Sequence, residues 1–132
     1  MKSKKRILKG FLIGFIVLIL VFGTFIYRQL QNFSKEIAQL AVNEINFSEF
    51  EDGDYIGEYH INEMLGATLK ISILDNRIAN ISVIEHQYGL GGKAEEIFSQ
   101  VIDYQSLNVD VVSGATGSSK VLLKAIESAF VK

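Results

Sequence analysis

From Phe11 to Tyr27 the chain runs without a charge, and nearly every side chain is apolar. Crossing a ~30 Å hydrocarbon core takes about 20 helical residues. Counting from Ile7 gives 21 residues, with Lys9 able to snorkel toward the head groups. Tyr27 followed by Arg28 marks the far interface. The stretch therefore reads as a transmembrane helix. Lys2, Lys4, Lys5, Arg6 and Lys9 precede it with no acid among them, and the positive-inside rule keeps that end in the cytoplasm. A cleavable signal peptide is the rival reading. The run is longer than a usual ~7–15-residue apolar region and no A-x-A-like site follows it; Val21-Phe22-Gly23 is a poor match. An uncleaved anchor is expected.

The anchor leaves Arg28 to Lys132, 105 residues, enough for one core and too few for two. Eight of the 13 cations and all 15 acids fall there, a net charge of −7. Nucleic acid is a poor partner for such a domain, since its binding calls for a basic face. The chain has no Cys, which removes disulfides, thiolate nucleophiles and Cys-ligated metal sites but does not identify the compartment.

After the anchor, Leu30, Phe33, Ile37, Leu40, Ala41 and Ile45 fit helical spacing. A stalk helix is expected, because the tract is shorter than the ~3–4 heptads that argue a coiled coil. Phe50 to Asp54 is a turn. Tyr55–Ile61, Leu65–Leu74 and Arg77–Glu85 alternate as strands, with Asp75-Asn76 a tight hairpin turn. Glu85-His86-Gln87-Tyr88-Gly89-Leu90-Gly91-Gly92-Lys93 lacks the spacing of a dinucleotide fingerprint. Its glycines imply strained or closely approached backbone ahead of a helix from about Lys93 to Tyr104. The expected fold is α+β: an antiparallel β-meander packed with two C-terminal helices and preceded by a transmembrane helix and a stalk helix. The divisions are 1–27 for tail and anchor, 28–49 for the stalk and 50–132 for the domain.

The most informative stretch is Asp110 to Lys120. It joins a strand-like run, Val109, Val111 and Val112, to a helical pattern of Val121, Leu122, Ala125, Ile126, Ala129 and Phe130. Between them lie Ser113, Gly114, Ala115, Thr116, Gly117, Ser118 and Ser119. A Ser or Thr at such a turn is a natural N-cap, and the helix start favours an anion, above all a phosphate, at Thr116. A P-loop does not fit: counting from Gly114 puts Ser119 at the second Gly and Val121 at the magnesium hydroxyl.

Asp110, Ser113, Gly114, Ala115 and Thr116 resemble the flavinylation motif of the FMN-binding domain family, approximately Asp-x-x-Ser/Thr-Gly-Ala-Thr. Glu85-His86, Gly91-Gly92, Lys93-Ala94-Glu95 and Gln105-Ser106 resemble the same family, so the likeness covers about Gly53 to Phe130. It implies FMN as cofactor, esterified through its phosphate to Thr116 by a separate flavin transferase. Ser113, Gly114, Ala115 and the N–H groups from Gly117 onward would bind phosphate oxygens as a backbone nest, with hydroxyls from Ser118 and Ser119. Asp110 is either recognised by the transferase or caps the turn. His86 and Gly91 are candidates because the family places that Gly-rich turn near the flavin. Tyr59 and Tyr88 can flank a ring, though packing is their default. His60 and His86, far apart in sequence and without Cys, make a poor metal site.

Thr116 is an acceptor hydroxyl with no base in its loop, and no catalytic residue is assigned. The resemblance implies an electron-transfer flavoprotein of the cell membrane, its FMN domain outside the cytoplasm, a carrier more than a stand-alone enzyme. Its partners would be the transferase, membrane lipid, and a donor and acceptor in the membrane or outside the cytoplasm. The alternatives are a phospholigand-binding or interaction module of the same fold, and the flavin subunit of a larger membrane redox complex.

Overall fold

The computed structural model describes residues 2–62, 65–87 and 92–131. It comprises two compact units, Met1–Gln39 and Leu40–Lys132. The first is a single helix, α1 (Lys2–Gln39). Its stretch Ile7–Gln39, of mean hydropathy 2.5 in its most apolar window and with none of that window buried, is long and apolar enough to cross a membrane. A single-pass anchor fits these properties, and a signal sequence near an N-terminus passes the same test.

The helix stops short of the expected end of the stalk. Leu40 to Asn46 leave it as an irregular strap, followed by a single 3₁₀ turn, Phe47–Glu49. Side chains of the second unit explain the departure. Asn43 donates its backbone N–H and its Nδ2 to the Glu127 carboxylate at 3.1 and 2.8 Å. Lys124 Nζ donates to the Ala41 carbonyl at 3.0 Å. The strap thus belongs to the compact unit, which begins about ten residues earlier than the hydrophobic pattern implies.

Three strands come next, β1 (Gly53–Asn62), β2 (Leu65–Leu74) and β3 (Arg77–Gln87), in an antiparallel sheet of order β1-β2-β3. The turn between β2 and β3 has Asp75 at φ 52° and Asn76 at φ 57°, the mirror-image turn whose twist suits a hairpin. Leu65, Ala67, Leu69, Ile71 and Ile73 of β2 are buried, while Thr68, Lys70 and Ser72 between them are half-exposed, as a pleated strand with one covered face requires. In β3 the alternation breaks: Ile78 and Ile81 are buried, but Ile84 is 58% exposed. Register shifts between Ser72 and Ile73, and between Thr68 and Leu69, leave Ala79 and Ile84 as extra residues. Each bulge exchanges the faces of the residues beyond it.

A 3₁₀ segment, Gly92–Glu96, leads into α2 (Ile97–Tyr104), and the last helix is α3 (Thr116–Ser128). Ala94, Ile97 and Val101 join Val121, Leu122, Ala125 and Ile126 in covering the sheet. α3 sits closest to β1 at Gly57, where a Cβ would collide with the Ala125 carbonyl. Beside that contact the Ser128 hydroxyl accepts the Glu58 N–H at 2.8 Å and donates to the Ala125 carbonyl at 2.8 Å, which occupies part of the open β1 edge. At β3, Gln105 plays a comparable part. It ends α2 in the left-handed conformation, φ 52° and ψ 40°. Its amide accepts the Ile78 N–H at 2.7 Å and donates to the Ile78 carbonyl at 3.0 Å.

Candidate functional site

The loop from Ser106 to Ala115 connects α2 to α3 and is pinned at both ends. At the first, Glu44 of the strap accepts from Ser106 Oγ (3.0 Å), Leu107 N (3.2 Å) and Asn108 N (3.0 Å). At the second, Ser119 Oγ accepts the Val112 N–H at 3.0 Å, and the Ala115 N–H closes a turn onto the Val112 carbonyl at 2.9 Å. Val109 to Val112 are not a strand. With Gln105 at the β3 edge and Glu44 and Ser119 holding the loop, this apolar run crosses between anchors without pairing. Gly114 lies at φ 80°, which a side chain adopts only under strain, and a Cβ there would meet nothing within 4 Å. Its need for glycine is conformational.

The expected Ser or Thr cap is absent. Ala115 is the N-cap, at φ −134° and ψ 35°, and no side chain caps the helix; Thr116 is already the first helical residue. The first intrahelical bond is Ser119 N to the Ala115 carbonyl, 2.8 Å. Consequently the N–H groups of Thr116, Gly117 and Ser118 find no acceptor among the described residues. Thr116 itself is exposed. An accessible hydroxyl thus stands at the positive end of a helix whose first donors are uncommitted. Lys120 lies four residues later, one turn along the same face.

The remaining sequence candidates divide. Ser113 and Gly114 are exposed beside Thr116, and Gly117 is half-buried. Ala115 is 7% exposed, so it contributes backbone. Ser118 and Ser119 are buried, 6% and 0% exposed, and the Ser119 hydroxyl is engaged with Val112; both belong to the packed side of the helix start, because the fourth N–H closes the helix there. Asp110 is exposed, and its carboxylate makes no hydrogen bond among the described residues, so it does not cap the turn. His86 pairs across from Ala67 on the covered face of the sheet. Its side chain is 2% exposed, with Nδ1 3.1 Å from Glu95 Oε1. Tyr59 is half-buried across from Ala67. Gly91 and Tyr88 lie outside the described residues. Glu44 and Lys120 escaped the sequence reading. Nothing marks Glu44 as a partner of residues more than sixty positions away. The i, i+4 spacing of Thr116 and Lys120 on a helix was the available signal for the second.

An α+β domain with an exposed Thr at the uncapped start of its last helix has the donor set that a phosphate monoester or diester requires. It is a flavin-binding domain. The model of the FMN-binding domain family matches residues 61–131, and the chain belongs to that family; FMN is accordingly its cofactor. No curated protein matches the chain. The residues at the helix start fit the group. The Thr116 oxygen is accessible, three N–H donors are uncommitted, and space is open at Gly114.

Proposed function

We propose that this protein is a membrane-anchored electron carrier whose FMN is bound covalently, through a phosphoester to Thr116. The observation that supports the reading is the pairing of an exposed Thr116 with the uncommitted N–H groups of Thr116, Gly117 and Ser118. A phosphodiester retains one negative charge, and that charge is favoured by the helix dipole and by Lys120 one turn away. Bound FMN supplies one- and two-electron chemistry; the chain's own residues hold its phosphate and set its surroundings. Gly114 gives the backbone its approach, and Ser119 and Glu44 keep the loop in place.

No base neighbours Thr116 in its loop, which favours attachment by a separate flavin transferase acting on FAD. In that step the Thr116 oxygen bonds to the FMN phosphorus, the pyrophosphate bond breaks, AMP departs, and the hydroxyl proton goes to a base of the transferase. Exposed Asp110 and Ser113 are the residues offered to it. The cationic N-terminus places the anchor with its tail in the cytoplasm and the flavin domain outside, where a tether prevents loss of cofactor. Donor and acceptor lie in the membrane or beyond it.

The test is intact mass after co-expression with a flavin transferase. The wild type gains about 438 Da, FMN (~456 Da) less one water, and Thr116→Ala does not while keeping its fold. An unmodified wild type that binds FMN reversibly would support the non-covalent phospholigand alternative.

A further inference from the structure

We infer that the strap is a latch on the attachment loop, with Glu44 as its catch and as a positioning residue for the attachment step; it opens when residues 40–45 join α1 as further turns of helix. The regulation rests on the ester at Thr116. Two neighbouring residues close the latch onto different elements. Asn43 gives its backbone N–H and its Nδ2 to Glu127 of α3, and Glu44 accepts from Ser106 Oγ, Leu107 N and Asn108 N of the loop. Both strap residues precede the family match at residues 61–131, so the latch lies outside the part of the chain that the family describes.

Local preference points to the open form. Leu30, Phe33, Ile37, Leu40, Ala41 and Ile45 keep helical spacing past the end of α1 at Gln39, and no Gly or Pro interrupts residues 40–45. A helix continued through Ile45 gives the Asn43 N–H to the Gln39 carbonyl and the Ile45 N–H to the Ala41 carbonyl, and lengthens α1 by about 9 Å. Asn46 and Phe47 bound the movement. Asn46 caps the 3₁₀ turn through Ser48, and Phe47 is buried.

Burial does little to keep the latch shut. No residue from 40 to 46 is buried, and Asn43 and Glu44 are exposed, so their hydrogen bonds compete with water and each contributes modestly. Opening strands no charge: the Glu127 carboxylate keeps Lys124, and that of Glu44 returns to solvent. Two arrangements of one segment, separated by a few exposed contacts, make a two-state element. The loop feels the difference. Leu40, Val42 and Glu44 line a groove of about 380 Å³ together with Val109 and Val111, and opening removes that wall along with the anchor of Leu107. The other anchor, Ser119 on Val112, holds the end next to Thr116. A loop held at both ends meets the transferase already ordered. Held at one, it must be ordered during the encounter, which weakens binding.

The experiment compares the full chain in detergent micelles with Glu44→Gln and with the double variant Asn43→Ala plus Glu44→Ala. The readouts are Cα chemical shifts at residues 40–45, amide exchange at Leu107, and added mass against time with a flavin transferase and FAD. In the double variant the shifts should turn helical, and exchange at Leu107 should rise about tenfold or more. The transferase KM should rise roughly three- to tenfold with kcat kept, and Glu44→Gln, which retains one acceptor oxygen, should fall between. Strap-like shifts in the double variant overturn the latch. A KM that stays or falls while the shifts turn helical overturns the regulation and leaves the ester at Thr116 standing. A wild type that gains no mass removes the ester and the regulation with it.

Discussion

Replacing Glu127 by Ala isolates the contact that ties the strap to α3. Glu127 is 4% exposed, and its carboxylate accepts from Asn43 N and Nδ2 and from Lys124 Nζ, which lies 2.9 Å from each oxygen. Burial acts to raise the pKa of this group, yet the hydrogen bonds from Lys124 and Asn43 outweigh it, and the carboxyl lies below its ordinary value of 4.5. Removing one partner of a buried pair costs ~3–5 kcal/mol. Here Lys124 is 24% exposed and keeps the Ala41 carbonyl, so water partly compensates it and the loss falls to about 2–3 kcal/mol. For a domain of this size ~1 kcal/mol moves the midpoint by about 4–8 °C, which places the variant roughly 10–20 °C lower at pH 7. The melt should be followed by tyrosine near-UV circular dichroism, because α1 dominates the far-UV signal. Because the folded carboxyl is lowered, its contribution is complete above the unfolded value of 4.5 and disappears as the pH falls through the lower folded value. The gap between wild type and Glu127→Ala should therefore narrow toward pH 3, with Glu127→Gln intermediate at pH 7. A gap of under about 2 °C at pH 7, or one that does not narrow in acid, would refute this account of the strap.

Three further outcomes can be measured the same way. Gly57→Ala forces a methyl into the Ala125 carbonyl, and because backbone must move, a loss of about 3 kcal/mol is expected, at the upper end for overpacking; an unchanged midpoint refutes the close α3–β1 approach. Gln105→Ala removes both bonds to Ile78 and should cost ~1–3 kcal/mol, with faster amide exchange at Ile78. Gly114→Ala has room for its methyl but not the right φ. It should lose about 1–2 kcal/mol and slow FMN attachment, whereas full-rate attachment in that variant would show that the loop tolerates other backbone conformations.

Much of this molecule is legible residue by residue, because its determinants are local. The uncharged run from Phe11 to Tyr27 specifies α1 by composition, Asp75-Asn76 specifies its hairpin by tolerance of positive φ, and the alternation of β2 survives intact in the burial of Leu69, Ile71 and Ile73. The family motif at Asp110–Thr116 is likewise contiguous. The strap, the bulges and the loop anchors depend instead on residues distant in sequence. Asn43 abandons the helical pattern because Glu127 competes for its N–H across 84 positions. Val109 to Val112 read as a strand but pair with none among the described residues. Ser119 has the composition of a phosphate ligand, yet packing turns it inward to hold Val112. Short-range preference thus determines the apolar N-terminal helix, the hairpin and the motif by itself. Which hydroxyl faces solvent, which donors stay uncommitted and where a groove opens beside them were decided only when α3 packed between sheet and strap, since hydrogen bonds and burial are settled by whatever arrives from elsewhere in the chain.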